Sequence, residues 1–234
     1  WRVAELARLG VELRLNCYAD ANQVLAEDPD AVIVATGGVP DTDWLPGAEL
    51  CETVWDMLTG AAAPAGEVLV YDGTGRAAAL SCALGLARKG HAVTIATPDD
   101  ALALEMPYPD RAGFRKSVAE LGIASRVDLR LVGVERHGTG LRAHFRHELT
   151  DQPLWIDTAQ VVIEHGTIPV DDLFSALRER SLNQGVTDSA LLIGGREAPS
   201  LPGPGFVLHR IGDAVASRDI HSAIHDAYRL CAGL

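Results

Sequence analysis

Val68-Leu69-Val70-Tyr71-Asp72-Gly73-Thr74-Gly75-Arg76 opens the segment that decides the fold. The apolar run reads as a buried strand, Gly73-Thr74-Gly75 as a loop, and the Ala- and Leu-rich stretch from Arg76 to Lys89 as a helix ended by Gly90. Val93 to Thr97 is the next β run. Strand, Gly-containing loop, helix and strand in that order make a βαβ unit, which strand twist makes right-handed and which places any ligand at the strand C-termini. Two similar stretches flank it: Val32-Ile33-Val34-Ala35-Thr36-Gly37-Gly38-Val39-Pro40 before, and Val161-Val162-Ile163-Glu164-His165-Gly166-Thr167-Ile168-Pro169 after. Each reads as a buried strand, a Gly turn and a proline. The chain is therefore expected to leave one α/β domain at the first turn, build a second, and return at the second turn.

The loop of the central unit formally satisfies a phosphate-binding pattern, Gly73-x-Gly75-x-x-Ala78, in which glycines let the backbone approach a pyrophosphate at a helix N-terminus. Three features oppose that use. Counted back from Gly90, the loop is about two residues longer than the tight form. Asp72 sets an anion beside the expected phosphates. The second strand ends Ala96-Thr97-Pro98, without an acid for a ribose diol or an arginine for a 2′-phosphate. Asp72, Gly73, Gly75 and Arg76 thus mark a degenerate nucleotide site.

Farther out, Trp1 to Leu9 reads as an amphipathic helix ended by Gly10, and Val11-Glu12-Leu13-Arg14-Leu15 alternates as a strand. Nothing caps the start of that helix. The opening therefore reads as the continuation of a longer polypeptide, with a first strand, phosphate loop and helix upstream. Between Val127 and His147, Leu129 to Val134 and Leu141 to Phe145 read as a hairpin around a Gly-containing turn; Leu154-Trp155-Ile156 continues it as a meander. His137, His144 and His147 on this hairpin are solvated strand residues, since no nucleophile motif accompanies them. Phe206 to Asp213 is a strand running into a turn, followed by a helix from about Ile220 to Leu230. Gly212 permits close backbone approach to a ligand, and Asp213 can accept a hydrogen bond from a ribityl hydroxyl or orient the next helix. A plain Gly-Asp helix-start turn is the simpler reading of those two residues alone; their place after two strand-Gly-Pro turns favours the ligand.

Bulk properties exclude several classes. With 234 residues, 47% of them hydrophobic, the chain can bury a sizeable core, and aromatics at 5% leave that core to Ala, Val, Leu and Ile. A formal net charge of −12 argues against nucleic acid or an anionic membrane as partner. No apolar run approaches the roughly 20 residues of a spanning helix, and the chain is expected in the cytoplasm. Cys17, Cys51, Cys82 and Cys231 are scattered without a C-x-x-C pair and read as buried, reduced thiols. His221 and His225 stand four apart on the last helix, but no further ligand has an evident position, so a metal has no local support.

Val70-Tyr71-Asp72, Gly90-His91-Ala92-Val93-Thr94, the run Glu164 to Leu173 and the run Ile211 to His221 together resemble the C-terminal half of the trimethylamine/dimethylamine dehydrogenase and 2,4-dienoyl-CoA reductase flavoproteins of the NADH:flavin oxidoreductase group. Within that group the chain is most similar to N-methylproline demethylase-type members. The resemblance covers essentially the whole chain and implies an α/β fold of two Rossmann-like dinucleotide-binding domains, of the two-dinucleotide flavoprotein type, the first incomplete at its N-terminus. Residues 1–62 and 163–234 would form a discontinuous FAD- or ADP-binding domain; residues 63–162 would form an NAD(P)-type domain. By resemblance, Ala35, Thr36, Gly37, Gly38, Gly212 and Asp213 line the FAD or ADP site, with Arg218, Ile220 and His221 nearby. FMN, a [4Fe–4S] cluster and the substrate belong to an N-terminal TIM barrel and cluster region that this chain lacks. The resemblance further implies oxidation of a small N-methylated amine or amino acid, with electrons leaving to an electron-transfer flavoprotein; the chain would catalyse nothing alone. Asp72 and the altered loop match the amine-dehydrogenase branch. An NAD(P)H-dependent dienoyl-CoA-type reductase and a non-catalytic scaffold or docking domain are the alternatives, and self-association as a homo-oligomer stays open.

Overall fold

The computed structural model describes residues 1–189, 193 and 201–234. The chain divides into two compact units. One comprises Trp1–Gly37 and Pro169–Leu234, the other Gly38–Ile168.

The continuous unit is built on a parallel sheet of five strands: β3 (Glu52–Thr53), β10 (Gln160–Glu164), β4 (Val68–Asp72), β5 (Val93–Ala96) and β6 (Ala124–Arg126), in that spatial order. Every residue of β4 and β10 is buried, as expected for central strands covered on both faces. Alternation along them divides the core. Val68, Val70, Ile95 and Val162 face α3 (Val54–Thr59), α4 (Ala77–Arg88) and α5 (Tyr108–Glu120), where Leu80, Cys82, Leu84 and Val118 pack. Leu69, Tyr71, Val161 and Ile163 face the opposite way, onto Leu131, Ala143 and Phe145. Those last residues belong to a three-stranded antiparallel sheet, β7 (Leu129–His137), β8 (Gly140–His147) and β9 (Pro153–Thr158). The unit is thus three layers: helices, parallel sheet, antiparallel sheet. Ala79 and Ala83, both fully buried, keep α4 slim where it packs into this core.

The hairpin turn is tighter than expected. β7 runs on to His137 and pairs it with Gly140, so that Gly138 and Thr139 alone make the turn, with Gly138 at φ +58°. A register shift between Leu131 and Gly133 bends β7, and Val134 N–H donates to Pro46 O at 2.9 Å there. The short strand β2 (Gly38–Pro40) pairs with β11 (Thr167–Pro169).

In the discontinuous unit, β1 (Ala31–Val34) and β12 (Val207–Arg210) pair in parallel. Their apolar side is covered by α2 (Ala21–Ala26) and α6 (Asp172–Arg178), with Val34, Phe174, Leu177, Phe206 and Leu208 at the centre. α7 (Ile220–Cys231) follows β12. The first helix, α1 (Arg2–Arg8), forms as read, but Val11 to Leu15 is no strand: it is unpaired and exposed. The alternation there is real, yet a strand exists only by pairing its backbone, and no neighbour supplies the ladder among the described residues.

α2 and α3 escaped the reading although both carry a signature. Asp20 accepts from Gln23 N–H while the Gln23 side chain accepts from Asp20 N–H, and Thr53 and Asp56 repeat the arrangement. These reciprocal capping boxes satisfy amides that the first helical turn leaves without partners. Two of the four cysteines also depart from expectation. Cys82 is buried and Cys51 half-buried, whereas Cys17 and Cys231 are exposed; they sit on segments with little packed against them. Among the described residues no helix is long and apolar enough to cross a membrane, and no three metal-ligating side chains cluster.

Candidate functional site

The parallel pairing of Ala31 to Val34 with Val207 to Arg210 brings the C-terminal ends of β1 and β12 side by side. The turns leaving them, Ala35-Thr36-Gly37 and Ile211-Gly212-Asp213, are therefore neighbours although far apart in sequence; both emerge at one end of the strand pair. Gly37 has φ +74°, a conformation that favours glycine, and a Cβ placed there would meet nothing within 4 Å. Its freedom from a side chain thus leaves open space. The Thr36 hydroxyl donates to Val170 O, while Val170 N–H donates to Gly37 O at 3.0 Å. Gly212 has φ +60°, which favours glycine; a Cβ there would make ordinary van der Waals contact with Ala223 Cβ at 3.4 Å.

Gly212–Ala214 forms one 3₁₀ turn. Asp213 Oδ1 accepts from Arg218 N–H at 3.4 Å, which ties that turn to the lead-in of α7. Asp219 caps α7 by accepting from Ser222 N–H at 2.6 Å, and its carboxyl lies below the usual range chiefly because of that amide. The Arg218 guanidinium pairs with Asp226 on the same helix. Ile220 and His221 are exposed, and His221 stacks on His225 with ring centroids 6.4 Å apart. Arg210, at the end of β12, is held between the Asp171 carboxylate at 2.5 Å and the Phe174 ring at 4.7 Å. Gly38 stands apart from this set. It begins β2, and a Cβ on it would fall 2.6 Å from Ile168 O; close approach of two backbones accounts for that glycine.

Asn183 supports β12 in a way the sequence did not announce. Its side-chain amide donates to Leu208 O at 2.9 Å and accepts from Leu208 N–H at 2.8 Å, acting as a substitute strand. His209, buried beside it, bonds Thr187 Oγ1 through Nδ1 at 2.7 Å, and burial pushes its imidazole below the ordinary value.

The loop between β4 and α4 is built differently. The order β3-β10-β4-β5-β6 places the change of winding direction between β4 and β10, the position at which open α/β sheets take their ligands. Asp72 and Glu164 end these two strands in register with each other. Asp72 is fully buried. Its Oδ1 accepts from Gly75 N–H at 2.9 Å, Thr74 N–H at 3.1 Å and Thr74 Oγ1 at 3.2 Å, while Oδ2 has no partner. Gly73 N–H donates to Glu164 O at 2.7 Å. Burial pushes both carboxyls up; the loop donors oppose the rise at Asp72, and Gly166 N–H opposes it at Glu164.

The space that the two glycines leave is filled from within. A Cβ on Gly73 would meet His165 Cδ2 at 2.8 Å, and one on Gly75 would meet Asp99 Oδ2 at 2.8 Å. His165 is itself fixed by Asp41 Oδ2, 2.9 Å from its Nδ1, and by stacking on Trp44 at 4.2 Å. Neither Asp41 nor Trp44 was singled out from the sequence. Their positions depend on β2 and β11 coming together, which no local pattern encodes.

No family model matches the chain. Among curated proteins it is 42% identical to a multifunctional alkene reductase/demethylase OYE of Caballeronia cordobensis, over 100% of this chain and 35% of that protein. It is 39% identical to a probable N-methylproline demethylase of Rhizobium meliloti, over 98% of this chain and 34% of that protein. It is 35% identical to an N,N-dimethylglycine/sarcosine dehydrogenase of Chromohalobacter salexigens, over 99% and 35%. The chain therefore spans roughly a third of the length of these relatives. Among solved structures, the 6-hydroxypseudooxynicotine amine oxidase of Pseudomonas geniculata superposes with a TM-score of 0.74 at 24% identity, covering 99% of this chain and 33% of that one. Thioredoxin reductase of Lactococcus lactis gives 0.61 at 22%, covering 85% and 63%. The fold is thus that of dinucleotide-binding flavoproteins, and over nearly its whole length the chain is similar in sequence to about a third of these demethylase and dehydrogenase proteins.

Proposed function

We propose that this chain is the nucleotide-binding region of a flavin-dependent oxidoreductase that demethylates or dehydrogenates a small N-methylated amine or amino acid. The observation that carries the reading is the juxtaposition of the Ala35-Thr36-Gly37 and Gly212-Asp213 turns at one end of the β1–β12 pair, with open space before Gly37. Backbone that can approach a ligand, beside a carboxylate that can accept from a ribose or ribityl hydroxyl, fits FAD or ADP. In this reading the FAD- or ADP-binding domain, expected over residues 1–62 and 163–234, is the unit Trp1–Gly37 with Pro169–Leu234, and the second dinucleotide-type domain, expected over 63–162, is Gly38–Ile168, because β3 and the end of β10 join its sheet and Val54 its core. Gly37 admits the nucleotide, Asp213 orients its hydroxyls, and Arg218, Ile220 and His221 border it. Gly38 serves the β2–β11 contact instead.

A flavin supplies the redox chemistry when bound, and the protein supplies position and electrostatics. FMN, a [4Fe–4S] cluster and the substrate pocket are assigned to the remaining two-thirds of the protein. An electron-transfer flavoprotein is the fitting acceptor, and the cytoplasm the fitting compartment. The relatives named for demethylation and for dehydrogenation of N-methylated amino acids support the substrate class. The second domain takes no nicotinamide nucleotide in this reading, because its loop donors are already engaged by Asp72. Calorimetric titration of the folded chain with FAD, ADP and NADPH tests it. Binding of FAD or ADP, with none of NADPH, is expected; binding of NADPH alone would move the protein to the NAD(P)H-dependent reductase class, and no binding to a scaffold.

A further inference from the structure

We propose that Asp72 is the residue that sets the specificity of the β4–α4 loop: its carboxylate is a built-in anion seated on the donors a diphosphate would use, so the loop is closed to dinucleotides from within. The inference rests on the proposed reading of residues 63–162 as a dinucleotide-type domain, and it names what disables that domain.

Three independent features converge. First, the Thr74 and Gly75 amides and the Thr74 hydroxyl all point at one oxygen of Asp72, at 3.1, 2.9 and 3.2 Å. Backbone amides at the start of a helix following a strand are the elements that bind phosphate in such units, and here a side chain of the same loop has taken them. Second, the glycines do not hold space open for a ligand, because His165 and Asp99 fill it. A glycine pattern that elsewhere marks phosphate approach is explained here by internal packing. Third, the surroundings are acidic. Glu164 lies in register with Asp72 on the neighbouring strand, Asp99 lies against Gly75, and Glu105 and Asp100 lie close enough to Asp99 to act on its charge. Arg76, which opens α4, is the nearby cation and acts on Glu164. A diphosphate entering here would meet like charge at short range, where interactions are screened less than at the surface. Asp72 is also fully buried with Oδ2 unpartnered. A buried oxygen without a partner is costly, and the three donors on Oδ1 are what the structure shows in compensation.

The test uses the 234-residue chain, with the Thr74 and Gly75 amide resonances as reporters and inorganic pyrophosphate and NADPH as probes. In the unaltered chain neither probe is expected to move these resonances. In Asp72→Ala, pyrophosphate is expected to shift both, with an affinity at least about tenfold tighter, a gain that reports a freed anion site. Asp72→Asn keeps the shape of the side chain and removes its charge; it covers the case in which the alanine variant does not fold, and should give a smaller gain of the same sign. Unchanged pyrophosphate binding in both folded variants would overturn the inference while leaving the proposed function intact. NADPH shifting these amides in the unaltered chain would overturn both.

Discussion

Asn183→Ala is the most direct test of how the discontinuous unit holds its shape. The Asn183 side chain makes three hydrogen bonds: to Leu208 O at 2.9 Å, from Leu208 N–H at 2.8 Å, and to Val186 O at 2.9 Å. Leu208 has no exposed surface. Truncation therefore leaves a buried N–H and a buried C=O on β12 without partners, at about 1–3 kcal/mol for each group that water does not reach. The Val186 carbonyl lies nearer solvent and adds little. The expected loss is about 2–4 kcal/mol in urea unfolding followed by far-ultraviolet circular dichroism, and the Leu208 amide should lose protection from hydrogen exchange. Asn183→Asp makes a sharper control. It keeps the acceptor for Leu208 N–H and replaces the donor by a charged oxygen facing two carbonyls, so it should be no more stable than the alanine variant. A loss below about 0.5 kcal/mol for Asn183→Ala, with Leu208 still protected, would refute the role of this side chain as a substitute strand.

Other outcomes follow from single contacts. Gly37→Ala meets no atom within 4 Å but must hold φ +74°; it should cost about 1–2 kcal/mol of stability and weaken FAD or ADP binding more than tenfold if nucleotide lies against Gly37, as calorimetry would show. Gly47→Ala would place a Cβ 1.9 Å from Val134 O at φ +86°, so a loss of at least about 3 kcal/mol is expected in the same unfolding assay. Asp72 and Glu164 both have carboxyls raised by burial. The native state then keeps protons that the unfolded chain has released, so the stability tied to them is complete below the ordinary carboxylate values of 3.8 and 4.5 and falls as pH rises through the raised ones. Urea midpoints measured from about pH 4 to pH 8 should decline less steeply in Asp72→Asn than in the unaltered chain.

Local patterning carried much of this protein. The apolar run from Val68, the loop at Gly73 to Gly75 and the Ala-rich helix formed as the residue types require, because burial on both faces and a helix free of β-branched residues leave few alternatives. The order of two strand-Gly-Pro turns around that unit determined that the chain leaves one body and returns to it. Short helices such as α2 and α3 were written in their capping residues and were missed only because their apolar periods are brief.

What no stretch of sequence decides is which distant groups meet. Asp72 was legible as an acid in a phosphate loop; that its carboxylate accepts from the loop's own amides, while His165 and Asp99 occupy the glycine spaces, depends on three strand ends converging. Asn183 is an unremarkable polar residue until β12 lies beside it. Val11 to Leu15 shows the converse: its alternation is a strand pattern, and without a paired neighbour it stays unpaired. Periodicity and turn chemistry act over a few residues and can be read in the chain. Hydrogen-bond partners across the sheet, and the burial that shifts a carboxyl, are properties of packing and appear only when the chain has folded.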